Sequence, residues 1–131
     1  MKPRDLMAKA ARAEESARLL LLNADFDGAC NRAYYAMFDA ARAALLSEID
    51  RLQESIPRSH SGLIAAFSLR FVKPGRIPVE IGRALNRVEE IRMMADYKGD
   101  SIDPEHAAWA VEQAGVFVAA IAREFFPVQK P

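Results

Sequence analysis

Between Ala107 and Phe125, apolar residues return every three or four positions: Ala107, Val111, Ala114, Val118, Ile121 and Phe125. That spacing lines one face of an α-helix and is incompatible with a strand, whose faces alternate every second residue. Trp109 and Phe117 widen the row. Asp103 followed by Pro104 predicts the start, a side-chain cap and a proline at the first helical position. The same period recurs upstream. Leu6, Ala10, Ala13, Ala17 and Leu20 predict a helix over 4–22. The turn "NADFDG" follows, with Asp25 or Asp27 available to cap a second helix that runs to about Ser47. After the connector "LQESIPRSHSG", Ser59 or Ser61 caps a third helix over roughly 61–72, and "KPGRIP" breaks it. Pro78 suits the first turn of a fourth helix that ends near Tyr97, before "KGDSIDPE". No segment alternates with period two. The expected fold is all-α: an antiparallel four-helix-type bundle with an additional short helix, about five helices in one domain over 1–131.

A chain of 131 residues, 51% of them hydrophobic, is long enough to bury a core. Lys plus Arg and Asp plus Glu both number 18, so net charge points neither toward nor away from nucleic acid. The distribution is uneven. From Arg58 to Val88, six cations (Arg58, Arg70, Lys73, Arg76, Arg83 and Arg87) stand against Glu80 alone. Such a block either meets phosphates or is a solvated face balanced by acids from elsewhere in the fold. Cys30, the only cysteine, cannot form an intramolecular disulfide, which fits a reducing cytoplasm; it reads as a small buried residue. No apolar run approaches the roughly 18 residues of a membrane span, and no apolar signal core opens the chain.

Two helices carry polar groups where packing alone would not put them. On the second, Cys30, Ala33, Tyr34, Met37, Ala41 and Ala44 form the apolar stripe, while Arg32, Tyr35, Asp39 and Arg42 cluster on the other face among Ala36, Ala43 and Leu46. That mixed face of small residues offers a partner close approach. Helices 2 and 5 carry more apolar surface than one stripe needs, which predicts self-association as a two-fold dimer. On the fourth helix, Arg92 falls about 80° around from Ala84, inside the sector formed by Ala84, Val88, Ile91, Ala95, Ile81 and Leu85. A guanidinium there needs a carboxylate, and Asp96 at i+4 and Glu89 at i−3 are the candidates. It is either an internal salt bridge or an arginine held in a cleft to present donors to a phosphate. His60 sits beside Arg58 near a helix start, where it either aids the cap or serves as a general base. Glycine-rich phosphate loops, paired-cysteine zinc patterns and strained serine elbows are absent from the sequence, and no metal or cofactor is expected.

Taken in order, "DFDGACNRAYYAMFDAARAALL", "RSHSGLIAAFSLRFVKPGRIP" and "ALNRVEEIRMMADYKGD" resemble the HEPN domain family, in a small single-domain bacterial and archaeal branch. The likeness runs from about residue 5 to 126. It implies an antiparallel helical bundle, usually a homodimer. Such proteins often pair with a minimal nucleotidyltransferase in two-gene modules that look like toxin and antitoxin. In many members the toxin is a metal-independent ribonuclease whose arginine is followed four to six residues later by a histidine. Here Arg92 matches the arginine, but Met93, Met94, Ala95, Asp96 and Tyr97 follow, with no histidine. An aspartate, with an ordinary pKa of about 3.9, is a poor substitute for imidazole. Tyr97 lies near the place of a tyrosine that the partner enzyme nucleotidylates in some relatives.

These observations combine into one expectation. Arg32, Tyr35 and Asp39 face Arg92 and Asp96 across two helices and form a polar pocket at or near the dimer seam, with Tyr35 stacking on a base or donating to it. Lys73 to Arg76 guide a polyanion in, and His60 supplies an imidazole from elsewhere. Two functions follow: a toxin-like protein that binds and cleaves RNA, or a non-catalytic homodimer that binds a nucleotide or its nucleotidyltransferase partner.

Overall fold

The computed structural model describes residues 1–49, 56–99 and 101–128. Five α-helices carry the chain: α1 Pro3–Leu22, α2 Phe26–Ile49, α3 His60–Phe67, α4 Val79–Lys98 and α5 Pro104–Phe125. There is no strand among the described residues, and no helix among them is long and apolar enough to cross a membrane. The stretch Leu52–Ser55, expected as part of a connector, lies outside the described residues.

The helix ends follow the sequence chemistry. The Asp103 carboxylate accepts the His106 N–H at 2.8 Å, and Ser59 Oγ accepts the Gly62 N–H at 3.0 Å. Asp25 is the residue that caps α2, accepting the Gly28 N–H at 2.9 Å. Asp27 is used differently: its Oδ1 accepts the Ile102 N–H at 2.7 Å and ties the α4–α5 connection to the start of α2. Gly99 closes α4 in the left-handed region at φ 71°, which favours glycine, and returns its N–H to Ala95. The third helix is not uniform. Beyond Phe67 it widens into a π-helical turn, Ser68–Val72, closed by a 2.9 Å bond from the Lys73 N–H to the Ser68 carbonyl. That turn lays Val72 against Gly82 of α4, where an added Cβ would stand 2.8 Å from Val72 Cγ2.

α2 is the centre of the bundle and packs against α1, α3, α4 and α5. It buries seven alanines, together with Cys30, Tyr34, Met37 and Leu45. The face expected to receive an outside partner is covered instead by the protein's own α1: Ala36, Asp39 and Ala43 are buried, and α1 brings Leu6, Ala10, Ala13 and Ala17 onto α2. Alanines on both sides let the two axes approach closely, so the excess apolar surface of α2 is consumed within the chain. Burial pushes the Cys30 thiol up to about 11, so it stays protonated and behaves as a small apolar residue.

One cation fastens the far end of the bundle. Arg76 Nη1 donates to Glu48 of α2 and its Nε to Glu124 of α5, both at 3.1 Å. Its guanidinium lies 4.6 Å from the Phe125 ring centre and 5.4 Å from that of Phe71. The ion pairs are partly exposed and individually weak, but the stacked planar group holds three segments together. Arg76→Ala is expected to lower unfolding free energy by about 1–2 kcal/mol, and Arg76→Lys to recover only part, because an ammonium lacks the planar fork. Urea denaturation of the three proteins measures this.

Candidate functional site

The most unusual group in the core region is Arg92. Its side chain is only 15% exposed, on a helix whose neighbouring positions Leu85, Val88 and Ile91 are buried. Nη2 donates to Glu89 Oε2 at 3.0 Å. Nη1 stands 3.6 Å from Asp96 Oδ2, too long for a hydrogen bond but close enough for attraction. Nε is buried and makes no hydrogen bond among the described residues. The guanidinium carbon lies 4.5 Å from the centre of the Tyr34 ring and 5.8 Å from that of Tyr35. Burial alone would lower its pKa, but the Glu89 carboxylate and the two tyrosines raise it, so the cation is secure.

Tyr34 links this cation to α3. Its hydroxyl is 2.9 Å from His60 Nδ1, and the His60 ring lies against three aromatic neighbours, Phe38 at 4.6 Å, Tyr34 at 5.5 Å and Tyr35 at 5.9 Å between centres. The Glu89 carboxylate also acts on this phenol. Burial and that carboxylate push the Tyr34 pKa far above the ordinary phenol range, with Arg92 opposing. Tyr34 therefore stays a neutral phenol. The hydroxyl and the imidazole pair in either direction, according to which ring nitrogen carries the proton. Polar groups of three helices thus meet here: His60 of α3 on the Tyr34 hydroxyl of α2, and Arg92 of α4 on the Tyr34 ring and on Glu89.

The structure brings His60, Arg32, Tyr35, Arg92 and Asp96 into one neighbourhood. The Arg32 guanidinium stands 5.9 Å from the centre of the Tyr35 ring, so Tyr35 is flanked by two arginines. Asp96 is 72% exposed and sits at the mouth. Tyr97 is 90% exposed and makes no contact with the inner groups. Asp39 does not reach Arg92. It is buried beneath α1, its carboxyl raised by desolvation, while Lys9, Arg32 and Arg42 oppose the shift. Its influence on the cluster is confined to the charge of Arg32. Lys73 and Arg76 lie elsewhere: Arg76 is bound to Glu48, thirteen residues and roughly 20 Å along α2 from Tyr35. The basic block is partly balanced by acids, Arg76 by Glu48 and Glu124 from distant segments and Arg87 by Glu90 one turn on in α4.

Chemically, the cluster offers a fixed cation with a spare buried donor, a second cation on the same aromatic ring and an imidazole with one ring nitrogen engaged. Such a set suits an anion with an adjacent hydroxyl. No group of three or more metal-ligating side chains occurs among the described residues. Tyr34 and Phe38 are the members that sequence reasoning assigned elsewhere or passed over. The available signal for Tyr34 was chemical: a buried tyrosine normally finds a partner for its hydroxyl.

Comparison with known proteins gives a consistent picture. The family model described as HEPN domain matches residues 3–124. A UPF0332 protein of Gloeobacter violaceus is 39% identical over 91% of this chain and 86% of its own length. A Methanocaldococcus jannaschii protein named as a candidate toxin is 34% identical over 82% of this chain and 77% of its own. A UPF0332 protein of Thermotoga maritima is 40% identical over 63% of this chain and 59% of its own.

Two measurements test the electrostatics. Glu89→Ala leaves a half-buried guanidinium with only its distant outer carboxylate, so a loss of about 2 kcal/mol is expected in denaturant unfolding, with much of it recovered by adding Arg92→Leu. Asp39 is raised in the folded state. Its contribution to stability is therefore present below the unfolded pKa, near 3.9, and is lost as pH rises through the folded value. Asp39→Asn is expected to raise Tm at neutral pH, with the gain vanishing below about pH 4 in a thermal series.

Proposed function

The chain belongs to the HEPN domain family, and from that premise we propose that it is a toxin-like protein that binds RNA at Arg92 and cleaves it without metal. The observation that carries this reading is the linked cluster of Arg92, Glu89, Tyr34 and His60. Cleavage of RNA through its own 2′-hydroxyl needs a proton acceptor and a cation for the charge that develops on phosphorus. The sequence lacks a histidine after Arg92 on α4, and His60 supplies imidazole from α3 instead. In the proposed step, O2′ attacks phosphorus and its proton passes to His60 Nε2. The P–O5′ bond breaks, and the departing oxygen takes a proton from water, leaving a cyclic phosphate and a 5′-hydroxyl. Arg92 and Arg32 hold the phosphate. The candidate-toxin name of the Methanocaldococcus relative supports the toxin-like role. A homodimer working with a nucleotidyltransferase as its counterpart completes the proposal.

A second reading is favoured by one observation: Glu89 and Asp96 already answer the charge of Arg92. On that reading the protein is a non-catalytic homodimer that binds a nucleotide or its nucleotidyltransferase partner, and the cluster is architecture.

Incubation of the purified protein with RNA in EDTA separates the two. The first reading expects cleavage that falls about 100-fold or more in both Arg92→Ala and His60→Ala, with folding checked by circular dichroism. Unchanged activity in either folded variant removes that residue from the mechanism. RNA that is neither bound nor cut by the unaltered protein leaves the second reading.

A further inference from the structure

Beside the cluster, a groove of about 400 Å³ runs between α3 and α4, within the roughly 300–1,000 Å³ of small-ligand sites. Ile64, Ala65 and the half-exposed Met93 give it apolar surfaces, while Ser61, Ser68 and Asn86 give it neutral polar ones. Among the described residues its one charged wall is Glu89, the carboxylate that holds Arg92. The groove and the cation therefore share Glu89, and Ser61 of the groove follows His60 directly.

The lining selects by chemistry. A second phosphate is disfavoured, because Glu89 is the nearest charge and no lysine or arginine lines the groove. A cation gains little, because Glu89 is already neutralised by Arg92. What fits is a flat, uncharged group with a polar edge. Met93 offers a polarizable thioether for an aromatic face. Of the polar groups at the edge, the two serine hydroxyls and the Asn86 amide donate and accept, whereas Glu89 only accepts. Glu89 spends Oε2 on Arg92, and Oε1 makes no hydrogen bond among the described residues. Asn86 spends one amide hydrogen on the Gly82 carbonyl at 3.3 Å and retains its carbonyl oxygen and its second N–H. The one charged group of the groove therefore favours a donor.

We propose that the α3–α4 groove is a nucleobase subsite, which takes the base next to the phosphate at Arg92 and prefers bases that carry an exocyclic amine. Adenine, cytosine and guanine present such N–H donors; uracil has no exocyclic amine, and its N3–H lies between two carbonyl oxygens. The proposal rests on the RNA reading above and adds to it a site and a selectivity.

The test is an NMR titration of protein labelled with ¹³C at the methionine methyls, with the Met93 signal assigned through Met93→Leu. The ligands are AMP, CMP, GMP, UMP and ribose 5-phosphate. AMP, CMP and GMP are expected to move the Met93 methyl by ring current, and to bind about fivefold more tightly than UMP. Ribose 5-phosphate is expected to bind without moving that signal. Ala65 is exposed and lines the groove, so Ala65→Phe fills the space without entering the core. It should abolish the Met93 shift and bring all four nucleotides to the affinity of ribose 5-phosphate. If the unaltered protein binds nucleotides no better than ribose 5-phosphate and Met93 stays still, the subsite is wrong while phosphate binding at Arg92 stands. A groove occupied by a second copy of the chain, or by a peptide of a partner, gives that same result. If neither the nucleotides nor ribose 5-phosphate bind, the subsite and the RNA reading fall together.

Discussion

A guanidinium laid on the face of Tyr34 organises the junction of three helices. Arg92 cannot be buried to this degree alone, since an unpaired charge in such a place costs several kcal/mol. The ring beneath it comes from α2, the carboxylate at 3.0 Å from its own helix one turn back, and the imidazole on the far side of the phenol from α3. Each partner fixes another. Glu89 orients the guanidinium, while Tyr34 ties α3 to the junction through His60. Sliding α4 by one turn along α2 would separate cation from ring, so the cluster sets the register of the bundle as well as its chemistry.

The remainder of α2 explains why the polar groups sit where they do. A helix surrounded by four neighbours can keep a charge only where a gap opens between them. Alanines close the α1 side, and Asp39 trapped there is held in a costly state, with only the fields of Lys9, Arg32 and Arg42 to offset it. Tyr35 and Arg32, near the edge of the same face, stay half-buried. The small side chains that let α1 approach thus close over Asp39 but not over Tyr35 and Arg32.

Much of this was legible in the sequence, for identifiable reasons. Helix starts are local chemistry, and Asp103, Ser59 and Asp25 act as caps where caps were expected. Arg92 stood out because angular position on a helix follows from spacing alone. Tyr34 did not, because its ring belongs to the apolar stripe and only its terminal oxygen belongs to the site. Lys73 and Arg76 looked like a phosphate guide because a charge count along the chain cannot see Glu48 and Glu124, which the fold brings to Arg76 from either side. The mixed face of α2 looked open for the same reason: whether small residues await a partner or meet the chain's own first helix is a tertiary fact. The π-helical turn left no local signal; it lies where Val72 meets Gly82 of α4, a contact between segments that spacing does not reveal.

The salt-bridge and anion-site readings of Arg92 are compatible, because its two carboxylates are unequal. Glu89 is largely buried and at hydrogen-bond distance; removing it would strand the cation. Asp96 is mostly exposed and 3.6 Å away, a pairing worth little in water. On the proposed RNA reading, a phosphate arriving from solvent would meet Asp96 first and displace it at small cost, while Glu89 holds the guanidinium in place. Entry would then be past Asp96, and the inner carboxylate would keep the cation from following its ligand outward. An arginine with one permanent and one exchangeable partner is pre-organised before any ligand arrives, which is what a binding site requires of a long flexible side chain.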